Sequence, residues 1–206
     1  MERIATAISY TFHPLWMPLI TLAVVYYIDP FLGLHPKVFR LLLLILLINL
    51  IAPGLSILIM RSRNLVSNLD ITNRTERFLP FVLFLFYYGL SYFWLRRHGD
   101  ALFMPAIVYG VFSALLVSLA VATVVTVQTK ISMHMLAIGS VCGVIAAVNK
   151  IHLLGHGDLL GFSVLIAGAV GWARITLGVH THAQVYLGFV TGFLIHFFCL
   201  TAGWYL

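Results

Sequence analysis

The chain has 206 residues, of which 62% are hydrophobic and only 9% charged, where a soluble domain carries about a quarter charged residues. This excludes a soluble globular protein. It also excludes a nucleic-acid binder, because the net charge of +6 comes from 12 Lys and Arg dispersed between apolar runs, as in loops that meet anionic headgroups or set topology. The fold class this predicts is all-α, a polytopic transmembrane helical bundle of about 6–7 spans, forming one integral membrane domain over 1–206.

Seven apolar segments follow in order, at about 7–28, 38–60, 78–95, 101–127, 134–149, 159–173 and 183–203. Each is read as a helix, since an isolated segment in hydrocarbon satisfies its backbone only by coiling and ~20 apolar residues match the bilayer core. The start, MERIATAISYTFHPLWMPL, has no small-residue cleavage site after a short apolar core, so the first segment is expected to be retained as a span. Pro14, Pro18, Pro53, Pro80 and Pro105 lie in or at the ends of segments, where proline bends a helix. The fifth and sixth segments are short and carry Gly139, Gly143, Gly161, Gly168 and Gly171, small residues that allow close helix packing. Cys142 and Cys199 fall in apolar runs and read as small buried hydrophobes.

The connections are of two kinds. DPFLGLHPK, RRHGD and KIHLLGHGD carry the Gly, Pro and Asp of tight turns. RSRNLVSNLDITNRTER, QTKISMH and RITLGVHTHAQ instead carry arginines, a lysine, serines and histidines. Two helices separate the first of these from the second, and two more separate the second from the third. All three therefore return to one membrane face, which gathers Arg74, Arg77, Lys130, Ser132, His134, Arg174, His180 and His182 at one end of the bundle. Seven spans place the N-terminus on that face and the C-terminus on the other.

Several cations, a hydroxyl and imidazoles with few acids make an anion site. Arginine binds phosphate oxygens bidentately and lysine adds a point charge; one histidine can attack phosphorus and another can protonate the leaving oxygen. Each residue alone has a structural role. Arg74 and Arg77, three apart, are topology anchors, Lys130 snorkels, and Ser132 caps the next helix. His134 and His180 are interfacial packing residues, and His182 is a bystander. Their convergence is what points to chemistry. Metal binding is not expected, since His180 and His182 are two apart and do not share a helix face, and no acid or cysteine completes a ligand set nearby. No cofactor is expected either.

The stretch ARITLGVHTHAQV resembles S-R-x5-H-x3-D, the third motif of the type 2 phosphatidic acid phosphatase superfamily of membrane lipid phosphatases. It keeps Arg174, Gly178 and His180, with Ala173 and Gln184 in the Ser and Asp places. KISMH is similar to the second motif, P-S-G-H preceded by Lys, keeping Lys130, Ser132 and His134, with Ile131 and Met133 in the Pro and Gly places. NRTERFLPF offers Arg74, Arg77 and Pro80 in a spacing other than the first motif, K-x6-R-P. The motif-bearing region is about 70–190. The resemblance implies a metal-independent mechanism in which His180 is the nucleophile forming a phosphohistidine and His134 the acid for the leaving group. Arg174, Ser132, Lys130 and one or both of Arg77 and Arg74 would hold phosphate oxygens, and Gln184 would orient the His180 ring. With an amide at position 184, either the catalyst is weakened or the acid comes from elsewhere, with Asp70 and Glu76 on the same face.

The function so implied is a membrane lipid phosphatase or pyrophosphatase. It would act on phosphatidic acid, phosphatidylglycerol phosphate or a prenyl diphosphate. The alternative is a non-catalytic lipid-phosphate binder on the same scaffold, which the residues at 131, 133, 173 and 184 favour. An intramembrane prenyltransferase, suggested by NLDITNRTERFLP, would need clustered acids for magnesium diphosphate, and that segment holds only Asp70 before its single Glu76. Seven Lys and Arg (3, 61, 63, 74, 77, 130, 174) fall on the motif side and five (37, 40, 96, 97, 150) on the other. Setting aside the four read as phosphate ligands leaves three against five. With the outward-facing site usual in the resembled family, this places the candidate site toward the periplasm of a bacterial inner membrane.

Overall fold

A computed structural model describes residues 1–28, 38–69, 71–98, 105–152 and 155–203. Among them there is no strand. The helices are α1 (Glu2–Thr11), α2 (Met17–Ile28), α3 (Val38–Ile45), a π-helical turn (Leu46–Ile51), α4 (Ala52–Ser62), a 3₁₀ turn (Arg74–Glu76), α5 (Phe78–His98), α6 (Ala106–Gln128), α7 (Met133–His152), α8 (Gly157–Thr176) and α9 (His182–Thr201). Six stretches among the described residues are long and apolar enough to cross a membrane: Leu43–Ser62, Arg74–His98 and each of α6, α7, α8 and α9. The chain is a polytopic helical membrane protein. Asp70 and the DPFLGLHPK connection lie outside the described residues.

The first apolar segment is not the single span that the sequence suggested. It breaks at Phe12–Trp16 into α1 and the twelve-residue α2, which at 1.5 Å per residue reaches only about 18 Å. The cause is local. A residue before proline is pushed out of the α region, and here that residue is His13, before Pro14. Its Nδ1 accepts a hydrogen bond from the Leu15 backbone N–H at 3.3 Å, while its carbonyl accepts from the Trp16 N–H at 3.0 Å. The fifth and sixth segments are longer than expected, each a twenty-residue helix. Lys150 and Arg174 lie inside α7 and α8 and do not end them.

α7 is the central helix, with 78% of its apolar window buried, against 28–50% for the other five spans. Its tightest partner is α9, and the reason is a pair of glycine spacings that face each other. A Cβ at Gly139 or Gly143 of α7 would strike the carbonyl oxygen of Phe189 or Phe193. A Cβ at Gly192 of α9 would strike the carbonyl of Leu136, and one at Gly188 would come within 2.6 Å of the carbonyl of Ser132. Each pair is a G-x-x-x-G spacing, which lets helix backbones touch. Position numbers rise together along both helices, so α7 and α9 run parallel. Their N-termini open on the same face.

The π turn has an equally local origin. Pro53, in the first turn of α4, has no N–H to donate and crowds the carbonyl four residues back. That carbonyl belongs to Asn49, inside the π turn, where the wider winding relieves the clash. The Asn49 side chain is buried and its Oδ1 accepts from the Ser91 hydroxyl of α5 at 3.1 Å.

Candidate functional site

A cavity of about 750 Å³ opens where the three polar connections meet, a volume suited to a small-molecule or lipid ligand. Arg61, Arg77, His134, Arg174 and His180 line it, with His13 and Tyr10 from the N-terminal segment and an apolar floor that includes Phe81, Phe84 and Leu119. Arg77 and Arg174 are each 5% exposed, His134 7% and His180 8%, so two arginines are held at the edge of a bilayer almost without water. Among the described residues no acid lines the cavity.

His180 is placed by the turn from α8 to α9. Gly178, at φ +65°, adopts the left-handed backbone that glycine takes without strain. Thr181 then caps α9: its hydroxyl accepts from the Gln184 N–H at 3.4 Å, and Gln184 Oε1 accepts from the Thr181 N–H at 3.3 Å, a capping box. The same Oε1 lies 3.0 Å from His180 Nδ1. Because the Thr181 N–H can only donate, the Gln184 atom facing it is the oxygen. Nδ1 of His180 therefore donates, and Nε2 carries the lone pair. Burial pushes the His180 pKa down to about 4, with the Gln184 bond opposing and Arg77, Arg174 and Lys130 adding to the fall. The ring is neutral at physiological pH.

Arg77 is clamped by backbone. Its Nε donates to the Ile71 carbonyl at 2.8 Å and its Nη1 to the Ile131 carbonyl at 3.0 Å. Ile71 sits at φ +46°, a costly conformation for a β-branched residue, on the order of 1–3 kcal/mol. The strain turns its carbonyl onto the guanidinium and fixes the fork beside the cavity. The Lys130 ammonium donates to the Val179 carbonyl at 3.5 Å. Its pKa is lowered by burial and then by Arg77 and Arg174. The N-termini of α7 and α9 add the positive ends of two parallel helix dipoles. The whole arrangement is a cluster of positive charge whose natural complement is an anion.

His134, in the first turn of α7, is reached from an unexpected direction. Its Nε2 lies 3.1 Å from the carbonyl oxygen of Ser9 in α1, so Nε2 carries the hydrogen and Nδ1 is left as the ring atom for chemistry. The His13 ring packs edge-on against it, centroids 5.4 Å apart at 85°.

The remaining expected site residues divide. Arg74 does not line the cavity; its Nη1 donates to the carbonyls of Val127 (2.9 Å) and Gln128 (2.6 Å) and so caps the C-terminus of α6. Ser132 is fully buried, does not line the cavity, and its hydroxyl has no protein partner among the described residues. Glu76 also stands off: its carboxylate accepts from the Ser67 N–H at 2.6 Å and the Asn73 side chain at 3.0 Å, closing the polar loop on itself. It does not supply the missing acid. His182 is exposed at the start of α9, as expected of a bystander. Met133, in the glycine place of the second motif, begins α7 without positive φ, so glycine's freedom is not needed there. His13, Ser9 and Arg61 were not anticipated. The signal for His13 was an ionisable residue before proline inside an apolar run.

No protein-family model, no curated protein and no solved structure matches this chain. The likeness to the phosphatase superfamily rests on the motif residues themselves.

Proposed function

We propose that this protein is a metal-independent lipid phosphatase or pyrophosphatase, acting on a phosphomonoester or diphosphate whose tail lies in the membrane. The observation that carries this reading is His180: a neutral imidazole with Nδ1 tied to Gln184, in a cavity with Arg77 and Arg174 and no acid among the described residues that line it. In the reaction the Nε2 lone pair of His180 attacks phosphorus as the bond to the leaving oxygen breaks. That oxygen takes a proton from Nδ1 of the His134 imidazolium. Water then attacks the phosphohistidine, His134 Nδ1 takes the water proton, and the N–P electron pair returns to His180. Arg77 and Arg174 hold the equatorial oxygens throughout, as phosphoryl transfer requires. The purified protein should release phosphate from at least one of phosphatidic acid, phosphatidylglycerol phosphate and a prenyl diphosphate, equally with and without a chelator. Silence across the panel, with saturable binding of the same lipids, would establish the alternative, a lipid-phosphate binder. That second reading draws on Ser132 and Lys130, two of the expected phosphate ligands, which stand outside the cavity lining.

Gln184 tests the electrostatics. Gln184→Glu keeps the side-chain length and both hydrogen bonds and adds a charge beside the ring. Turnover should rise about tenfold, equivalent to ~1.4 kcal/mol of barrier. The nucleophile works unprotonated, so activity is present above its pKa and lost as pH falls through it. The carboxylate raises that pKa from about 4, and the acid limb of kcat/KM moves to higher pH. Lower activity with folding intact would show a pocket built around a neutral partner.

Orientation has a direct test. We place the site toward the periplasm of a bacterial inner membrane. Ser67→Cys, in the exposed polar loop, should react with an impermeant maleimide in intact cells, and His98→Cys, at the opposite face, only after lysis. The reverse pattern would put the site in the cytoplasm.

A further inference from the structure

The N-terminal segment lies outside the motif-bearing region, yet two of its residues converge on one imidazole. Ser9 and His13 are four apart at the end of α1. The Ser9 carbonyl takes the Nε2 hydrogen of His134 at 3.1 Å, and the His13 ring stands edge-on to the same ring at 5.4 Å. The segment is held to this place. α1 buries Ala5 and Ser9 and packs against α8, while the His13 side chain pins the turn into α2 through the Leu15 N–H. Tyr10, His13, Pro14 and Trp16 line the cavity. One contact thus sets which nitrogen of His134 carries the hydrogen, and the other restricts the plane of the ring.

We propose that residues 9–13 form a clamp on His134, with His13 as its positioning residue, so that Nδ1 of His134 is the atom presented to the leaving group. The proposal rests on the phosphatase reading for its catalytic consequence. Without the clamp the ring can turn over and exchange Nδ1 for Cδ2. Proton delivery to the leaving oxygen then fails, while phosphate binding by Arg77 and Arg174 and attack by His180 remain.

The discriminating variant is His13→Asn. Asparagine accepts a hydrogen bond from the N–H two residues on, so it keeps the turn at Leu15 and removes only the imidazole. A general acid contributes ~10²–10⁴-fold, and only where the leaving group needs a proton. In His13→Asn, kcat should fall about tenfold or more for an alkyl phosphate lipid, whose alkoxide is a poor leaving group. It should change by less than about threefold for an aryl phosphate, whose phenolate needs little help. KM should hold for both. Equal losses on both substrates, or no loss on either, would overturn the positioning role. The clamp also has a readout that does not need turnover. In the protein with ¹⁵N-labelled histidine, at a pH where His134 has given up its Nδ1 proton, the signals absent from His134→Gln should show a single neutral tautomer protonated at Nε2, and a tautomer mixture in His13→Asn. An unchanged tautomer in His13→Asn would overturn the clamp. If the wild-type protein releases no phosphate from either substrate, the phosphatase reading falls, and the spectrum alone decides the clamp.

Discussion

His180→Ala is expected to remove at least about 10³ of turnover, on the order of 4 kcal/mol of barrier, while leaving the protein folded. Among the described histidines that line the cavity, only His180 has its Nδ1–H tied to a side-chain acceptor and presents an Nε2 lone pair; the Nδ1 of His13 instead accepts from the Leu15 N–H. His134 donates its Nε2 hydrogen to Ser9, and His182 is exposed outside the cavity. Folding should survive, because Thr181 and Gln184 cap α9 through each other and need no imidazole. His134→Ala should cost less on diphosphates than on alkyl monophosphates, and His182→Ala little on either. The check is phosphate release under single-turnover conditions, with the elution profile and Tm measured alongside. A His180→Ala protein that keeps most of its activity would discard the nucleophile assignment.

The second large effect concerns the fold. Gly192→Leu places a branched side chain where even a Cβ meets the Leu136 carbonyl group and lies 2.9 Å from the Ser140 backbone nitrogen. These are backbone atoms of the most buried helix, so no side chain can swing aside. α7 and α9 must separate along their whole crossing. Overpacking costs about 1–3 kcal/mol where side chains can adjust; a rigid backbone obstacle puts this case at ~3 kcal/mol or more. That corresponds to a fall in Tm of roughly 6–12 °C for a chain of this size, with loss of the monodisperse peak in detergent. Gly161→Leu is the control, since a Cβ there meets nothing within 4 Å. Equal Tm values for the two variants would show that the glycine crossing does not hold the bundle.

The convergence of Arg77, Lys130, Arg174 and His180 was legible because it depends on parity. The spans that separate the three polar connections all form, and the miscounted first segment precedes every one of them. The pairing of His180 with Gln184 was legible only through the resemblance, which puts Gln184 in the place of the third motif's acid. The difference between Arg74 and Arg77 was not. Both flank the same helix, and only the position of the α6 C-terminus, set by tertiary packing, makes one a cap and the other a cavity residue. His13 was hidden for another reason. Its run is apolar enough to read as one span, and the break at Pro14 shows itself only when the chain around it packs. Gly139 and Gly143 were visible as a packing surface, but the facing pair on α9 had no signature beyond its spacing.

Arg61 and Ile57 reach the cavity from α4, downstream of the π turn at Leu46–Ile51. An α-helix advances 100° per residue, so a turn holding one extra residue resets the angular phase of everything after it by about that amount. The upstream part of the Leu43–Ser62 span and its downstream part therefore answer to different neighbours: Asn49 is aimed at Ser91, and Arg61, three turns later, at the mouth of the site. Were the winding α-helical throughout, aligning one of these would rotate the other toward lipid. The π turn works as a fixed rotary offset. It lets a single span turn the buried Asn49 carbonyl oxygen to the Ser91 hydroxyl while delivering a guanidinium to the anion end.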